Sequence, residues 1–223
     1  MFMTRLKKIG AWYMLEDEGD KGIINYLHNT PNSVSGWHEF LVDRLEPRFL
    51  QKRVAIDCGA CYGMISVPLA QCFEQVHAFE ISPRTYIALQ ANTSHYNNII
   101  PHNVGLSDRT RTVAIDNSLL SGANKIVHNS EHEAQVVTLD SFDFENVDFI
   151  KIDVEGHEYD LLLGAVKTLQ RCKPLVYIEI HQSSASFRNT FTILLDAGYV
   201  LTALDRGSDY IFEHKTKIKE YVQ

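Results

Sequence analysis

With 223 residues, 45% of them hydrophobic and 22% charged, the chain has material for one sizeable core, and its composition is that of an ordinary globular protein. A formal net charge of −7 argues against a general nucleic-acid binder. No apolar run reaches the roughly 18 residues of a membrane span, and the basic start MFMTRLKKIG lacks the apolar stretch of a secretory signal.

Residues 1–36 combine an acidic run (16–20) with a turn-rich string (28–36), and read as a short helix or two and a loop that cap the main domain of residues 37–223. Residues 37–45 (WHEFLVDRL) place Trp37, Phe40, Leu41 and Leu45 at helical spacing, and Pro47 helps end that helix. Trp37 and Glu39 then either reach the edge of the site that follows or serve as a core aromatic and a solvated acid. Residues 54–70 (VAIDCGACYGMISVPLA) give a strand, a glycine turn and a helix beginning near Tyr62. Gly59 can adopt backbone angles closed to other residues and lets a ligand approach the main chain. A helix start at Tyr62 would aim free N–H groups at the same spot. A second strand, 76–79, ends at Glu80, and an acid roughly 20 residues beyond such a turn is where nucleotide-binding folds hold ribose hydroxyls.

The pattern departs from the dinucleotide fingerprint G-x-G-x-x-G, whose second glycine is Cys61 here. The string D-x-G-A-x-x-G, with Asp57, Gly59, Ala60 and Gly63, suits a mononucleoside without a pyrophosphate, such as S-adenosylmethionine. Cys58 and Cys61 form a C-x-x-C, yet both lie where the turn wants small residues. Cys72 and Cys172 supply no second pair at zinc spacing, so packing outweighs redox or metal chemistry, and free thiols fit a reducing cytoplasm.

Ser82 and Pro83 are an N-cap and a first helical position for a helix over 84–96. Residues 99–104 form the third strand, 105–108 its exit turn and 112–115 a β-rich run. Residues 116–133, rich in Ser, Asn and His with an apolar patch at 125–127, read as a long surface loop and candidate lid. A short strand at 135–139 precedes the core strand 147–153 (VDFIKID), which leads through Glu155 and Gly156 into a helix over 157–169. The fifth strand spans 175–181 (LVYIEIH), and a helix over 187–197 stops at Gly198. Residues 199–204 and 210–213 form an antiparallel pair around Arg206, Gly207 and Ser208.

Alternation of strand and helix predicts an α/β protein with a doubly wound, largely parallel sheet, whose ligands bind beyond the carboxyl ends of the strands. That rule selects Asp57, Glu80, Ser107, Asp153 and His181 at strand ends, with Glu155 and His157 crowding the fourth exit and Glu179 the fifth. Lys151 and Glu179 interrupt strands that should be apolar, and burying either alone is costly, so the two are expected to pair.

These stretches resemble the FkbM-family methyltransferases, a branch of the S-adenosylmethionine-dependent Rossmann-like enzymes. VAIDCGACYG (54–63), VHAFE (76–80), VGLSD (104–108), VTLD (137–140), DFIKIDVEGHE (148–158) and IEIH (178–181) stand in family order over roughly residues 37–213, and K-I-D-V-E-G is the most specific of them. Cys61 departs from the family's frequent asparagine, and Ile81–Ser82 from its usual Pro-x-Pro. The resemblance implies a Rossmann-like sheet of about seven strands, the C-terminal one antiparallel, and methyl transfer to oxygen, often a hydroxyl of a sugar or natural product. Asp57, Gly59, Ala60, Gly63, Glu80, Ile81, Leu106, Ser107 and Asp153 are then the cofactor residues, with Glu80 on the ribose, Gly59 and Ala60 at the amino-acid tail, and Leu106 and Ser107 beside the adenine.

Asp153, Glu155, His157 and His181 are the catalytic candidates: Asp153 nearest the methyl, His157 or His181 as the proton acceptor because imidazole titrates near neutral pH, and Glu155 orienting one of them or the acceptor. A divalent metal on Asp153, Glu155, His157, Glu179 and His181 is the rival arrangement, although their spacing matches no recognised metal string. The expected partner is a small-molecule or glycan acceptor in the cytoplasm, without nucleic acid or a membrane span. The competing readings are a nucleoside-binding module without catalysis and an NAD-dependent oxidoreductase. Against the latter stand the missing middle glycine and the absence of a second nucleotide half.

Overall fold

The computed structural model describes residues 4–19, 21–29, 44–116, 125–205 and 207–218. The expected helix over 37–45, with Trp37 and Glu39, lies almost wholly outside them, as do residues 117–124 of the expected loop. The first elements are an antiparallel hairpin of β1 (Leu6–Ile9) and β2 (Trp12–Leu15), followed by α1 (Lys21–Asn29). Then come β3 (Val54–Cys58), α2 (Ser66–Cys72), β4 (Gln75–Phe79), α3 (Pro83–Thr93) and β5 (Ile99–His102). A lateral group follows: β6 (Gly105–Leu106), β7 (Arg111–Asp116), β8 (Lys125–Val127) and β9 (Glu133–Val137). The chain continues with β10 (Val147–Ile152), α4 (Glu158–Leu163), α5 (Val166–Cys172), β11 (Leu175–Glu179), α6 (Phe187–Asp196), β12 (Tyr199–Asp205), β13 (Asp209–His214) and α7 (Lys215–Ile218).

Seven strands form the main sheet in the order β12-β13-β11-β10-β3-β4-β5. Every neighbouring pair from β11 to β5 is parallel, and β13 runs antiparallel to both β11 and β12. The sheet is thus a mixed, mostly parallel one with an antiparallel C-terminal strand. Successive residues serve opposite faces, as the period of a strand requires. Ala55, Val76, Phe149 and Ile211 face a core with α2, α3 and the hairpin, whereas Ile56, Ile150, Val176 and Phe212 face one with α4, α5 and α6. No helix among the described residues is long and apolar enough to cross a membrane.

The N-terminal hairpin is fastened to α3 and to the glycine turn after β3. Trp12, Met14 and Leu15 are buried. The Tyr13 N–H donates to Asn92 Oδ1 at 2.7 Å, while Asn92 Nδ2 donates to the carbonyls of Tyr13 and Tyr62, both at 2.9 Å. Tyr62 also bonds Glu18 through its hydroxyl.

Residues 6–15, read as part of a short helix or two and a loop, form the β1–β2 hairpin, and three further expectations change for tertiary reasons. The helix after the glycine turn starts at Ser66 rather than near Tyr62, because Gly59, Cys61 and Gly63 all take positive φ (78°, 49° and 85°) and prolong the turn. The helix over 157–169 breaks in two at Gly164, where an added Cβ would stand 1.9 Å from the Ser107 carbonyl oxygen. Part of 116–133 is strand: Ile126 packs with Val113, Ile115 and Val136, so 125–127 becomes β8 in a lateral sheet of order β6-β9-β7-β8.

Candidate active site

The exits of β4, β3, β10 and β11 lie side by side, and above the first three opens a cleft of about 240 Å³. Glu80 and Ile81 beyond β4, Gly105 and Leu106 of β6, and Gly59, Ala60 and Cys61 beyond β3 line it. So do Lys151 of β10, Asp153, Glu155 and His157 beyond that strand, Ile23 of α1, and Lys125 and Ile126 of β8. Of the residues singled out from sequence, Gly59, Ala60, Glu80, Ile81, Leu106, Asp153, Glu155 and His157 therefore meet in one cleft. Asp57, Gly63, Ser107 and His181 are not part of its lining. Gly63 faces Leu89 and Thr93 of α3, where an added Cβ would meet side-chain carbons at 3.0 and 3.3 Å.

The turn's own N–H groups are satisfied within the protein, and the helix whose free N–H groups were expected at this spot begins only at Ser66. Those of Gly59 and Ala60 donate to the Phe79 carbonyl at 3.0 and 2.9 Å, and that of Cys61 to Glu80 Oε2 at 3.0 Å. The Ser82 N–H takes the other Glu80 oxygen at 2.8 Å, and the Ser82 hydroxyl caps α3 at Thr85. Glu80 is 4% exposed, and burial pushes its carboxyl up to about 7 despite those two bonds. A carboxyl raised from 4.5 to about 7 contributes stability that is present below the lower value and lost as pH rises through the upper one, on the order of 3 kcal/mol in all. Thermal unfolding of the cofactor-free protein is therefore expected to show a downward pH slope between these values that Glu80→Gln flattens. An equal slope in both proteins would refute this.

Lys151 is 3% exposed and does not pair with Glu179. Register sets Lys151 beside Tyr177 on β11 and Asp57 on β3, while Glu179 lies two residues further on, beside Asp209. Lys151 Nζ sits 3.5 Å from Asp57 Oδ1 and 3.3 Å from Asp153 Oδ2, and donates to the Gly59 carbonyl at 2.9 Å. Glu179 instead accepts from the Ser208 hydroxyl at 3.1 Å and lies 3.5 Å from His181 Nε2.

The two histidines occupy unlike places. His157 is engaged on both ring nitrogens, Nε2 with the Ser107 hydroxyl at 2.9 Å and Nδ1 with Asp160 at 3.4 Å, and burial lowers its pKa. The Ser107 hydroxyl is itself 2.9 Å from Asp108, which binds Arg111, so His157 ties α4 to the lateral sheet. His181 is largely exposed. Glu155 differs from both: it lines the cleft in a left-handed conformation (φ 53°), and burial, with Asp153 and Glu179 nearby, pushes its carboxyl up to about 7. Among the described residues no three His, Cys, Asp or Glu side chains are placed to hold a metal ion.

Ile23 and Lys151 were not foreseen in the wall: Ile23 lies in a stretch that carries no motif, whereas Lys151 was visible as a lysine in an apolar strand. Lys125 and Ile126 come from the apolar patch of the stretch 116–133 expected to lie over the site.

Residues 57–201 match the family profile of the methyltransferase FkbM domain. The chain belongs to the FkbM methyltransferase family. Hexuronic acid methyltransferase AglP of Haloferax volcanii is 26% identical to this FkbM chain over 145 residues, 61% of this chain and 60% of that protein. The chain thus spans less than two thirds of that relative. The crystal structure of methyltransferase FkbM from Methylobacillus flagellatus KT shares the fold with a TM-score of 0.58 and 21% identity, over 85% of this chain and 50% of that one. The ribosomal protein L11 methylase of Lactobacillus delbrueckii subsp. bulgaricus aligns at a TM-score of 0.50 and 12% identity, over 84% and 79%.

The cofactor of this FkbM chain is S-adenosylmethionine. The cleft fits it: a buried carboxylate stands at the β4 exit, Ile81, Leu106 and Ile126 offer apolar surface for a purine, and the glycine turn lies beside them.

Proposed function

We propose that this methyltransferase acts on a hydroxyl oxygen of a sugar or natural product, with Glu155 as the proton acceptor. S-adenosylmethionine supplies the activated methyl group. Glu80 binds the ribose hydroxyls, Ile81, Leu106 and Ile126 hold the adenine, and Gly59 and Ala60 border the amino-acid tail. Asp153, beside Lys151, orients the acceptor. Glu155 takes the hydroxyl proton.

The observation that carries the assignment is the position of Glu155 in the cleft wall, half-buried, with a carboxyl titrating at about 7. His157 has both ring nitrogens engaged, and His181 stands outside the lining. A sugar acceptor is supported by the name of the Haloferax relative, and a reducing compartment such as the cytoplasm by the four free thiols.

The test is untargeted mass spectrometry of host extracts incubated with enzyme and isotopically labelled cofactor. Labelled methyl ethers are the expected product. Label on nitrogen or carbon would refute transfer to oxygen, and cofactor binding without any labelled product would favour a non-catalytic module.

A further inference from the structure

Lys151 does more than balance a buried charge. Its ammonium lies in the wall of the cleft and at the junction of two strand exits. From β10 it reaches the carbonyls of Cys58 and Gly59 at 3.4 and 2.9 Å, and the carboxylates of Asp57 and Asp153 at 3.5 and 3.3 Å. Burial pulls its pKa down, but Asp153 and Asp57 more than reverse this, so the group stays charged. At the same junction an added Cβ on Gly59 would stand 1.8 Å from the Asp153 carbonyl oxygen. The glycine turn and the Asp153 backbone are therefore pressed together, and Lys151 reaches the carbonyl of the one and the side-chain carboxylate of the other.

We propose that Lys151 is a positioning residue for the cofactor: it ties the Gly59 turn to Asp153 and so sets the floor on which S-adenosylmethionine lies. Asp57 does not line the cleft; its Oδ1 faces the Lys151 ammonium at 3.5 Å and its Oδ2 accepts from the Ser66 hydroxyl at 2.6 Å. Charge balance and positioning are thus separable. Replacing both Lys151 and Asp57 by neutral residues removes the buried ion pair while leaving the turn untied.

The experiment compares the parent, Lys151→Met and the double variant Lys151→Met/Asp57→Asn by thermal unfolding and by calorimetry with S-adenosylmethionine and S-adenosylhomocysteine. Lys151→Met is expected to unfold at lower temperature and to bind both ligands at least about tenfold more weakly, the size of a lost charge-assisted hydrogen bond. The double variant is expected to regain stability and keep the weakened binding. In the parent, the side-chain ¹⁵N resonance of Lys151 should move when S-adenosylhomocysteine is added, which a remote structural lysine would not do. Binding by either variant within about threefold of the parent overturns the proposal, as does an unmoved Lys151 resonance. If neither variant folds, Lys151 is a requirement of the fold and not of the cofactor site, and the proposal falls.

Discussion

Glu155→Gln is expected to lower methyl transfer by about 100- to 10,000-fold, the usual contribution of a general base, while S-adenosylmethionine affinity stays close to that of the parent. The amide keeps the shape of the side chain, leaves the fold of the turn alone and cannot accept the proton. A base works in its ionised form. With a carboxyl at about 7, kcat/KM in the parent should therefore climb as pH rises through that value and level off above it. In Glu155→Gln that limb disappears. The measurement is initial-rate transfer of labelled methyl across pH, with calorimetry of cofactor binding on the same preparations. A drop of only a few-fold would remove Glu155 from the role. A drop matched by lost cofactor affinity would make it a binding residue instead. His157→Ala offers the contrast: its ring joins Ser107 to Asp160, so its removal should act on the stability of α4 and the lateral sheet.

The second large effect is expected at Gly59. Gly59→Ala places a Cβ 1.8 Å from the Asp153 carbonyl oxygen at a residue with φ 78°, and no rotamer relieves a backbone clash. The left-handed angle alone costs about 1–2 kcal/mol, and forcing the exits of β3 and β10 apart adds about 1–3 kcal/mol of overpacking. The displaced parts include the turn proposed to border the amino-acid tail of the cofactor, so binding should fall below detection in calorimetry while thermal unfolding still reports a folded, less stable protein. Near-parental affinity would mean that the turn does not form the cofactor floor.

Sequence and structure agree most where one local pattern carries both shape and chemistry. The glycine turn, the acid after β4 and the K-I-D-V-E-G exit are each a strand end with its functional group attached, so they stand where strand ends must stand. The partner of Lys151 was not legible, because register decides it: one strand offers Asp57 alongside, while the other offers Tyr177 and carries Glu179 two residues too far. The partners of the turn's N–H groups were hidden for a similar reason, since the Phe79 carbonyl that takes two of them comes from the neighbouring strand. The break at Gly164 depends on Ser107, more than fifty residues earlier, pressing its carbonyl into a helix whose own periodicity is unbroken. Ile23 and Lys125 reach the cleft from a helix and a strand outside the main sheet.

The place of β13 bears on how the molecule is made. It is the last strand among the described residues, yet it is hydrogen-bonded between β11 and β12. A nascent chain emerging from the ribosome at about 5–20 residues per second can assemble β3, β4, β5, β10 and β11 as they appear, but β12 has no seat until residues 209–214 are also out. Until then β11 is an open edge beside an unattached strand, the kind of surface that invites pairing with another chain. Translation that stalls or stops before His214 leaves the cofactor half nearly complete and the sheet unsealed, a species suited to chaperone capture or aggregation.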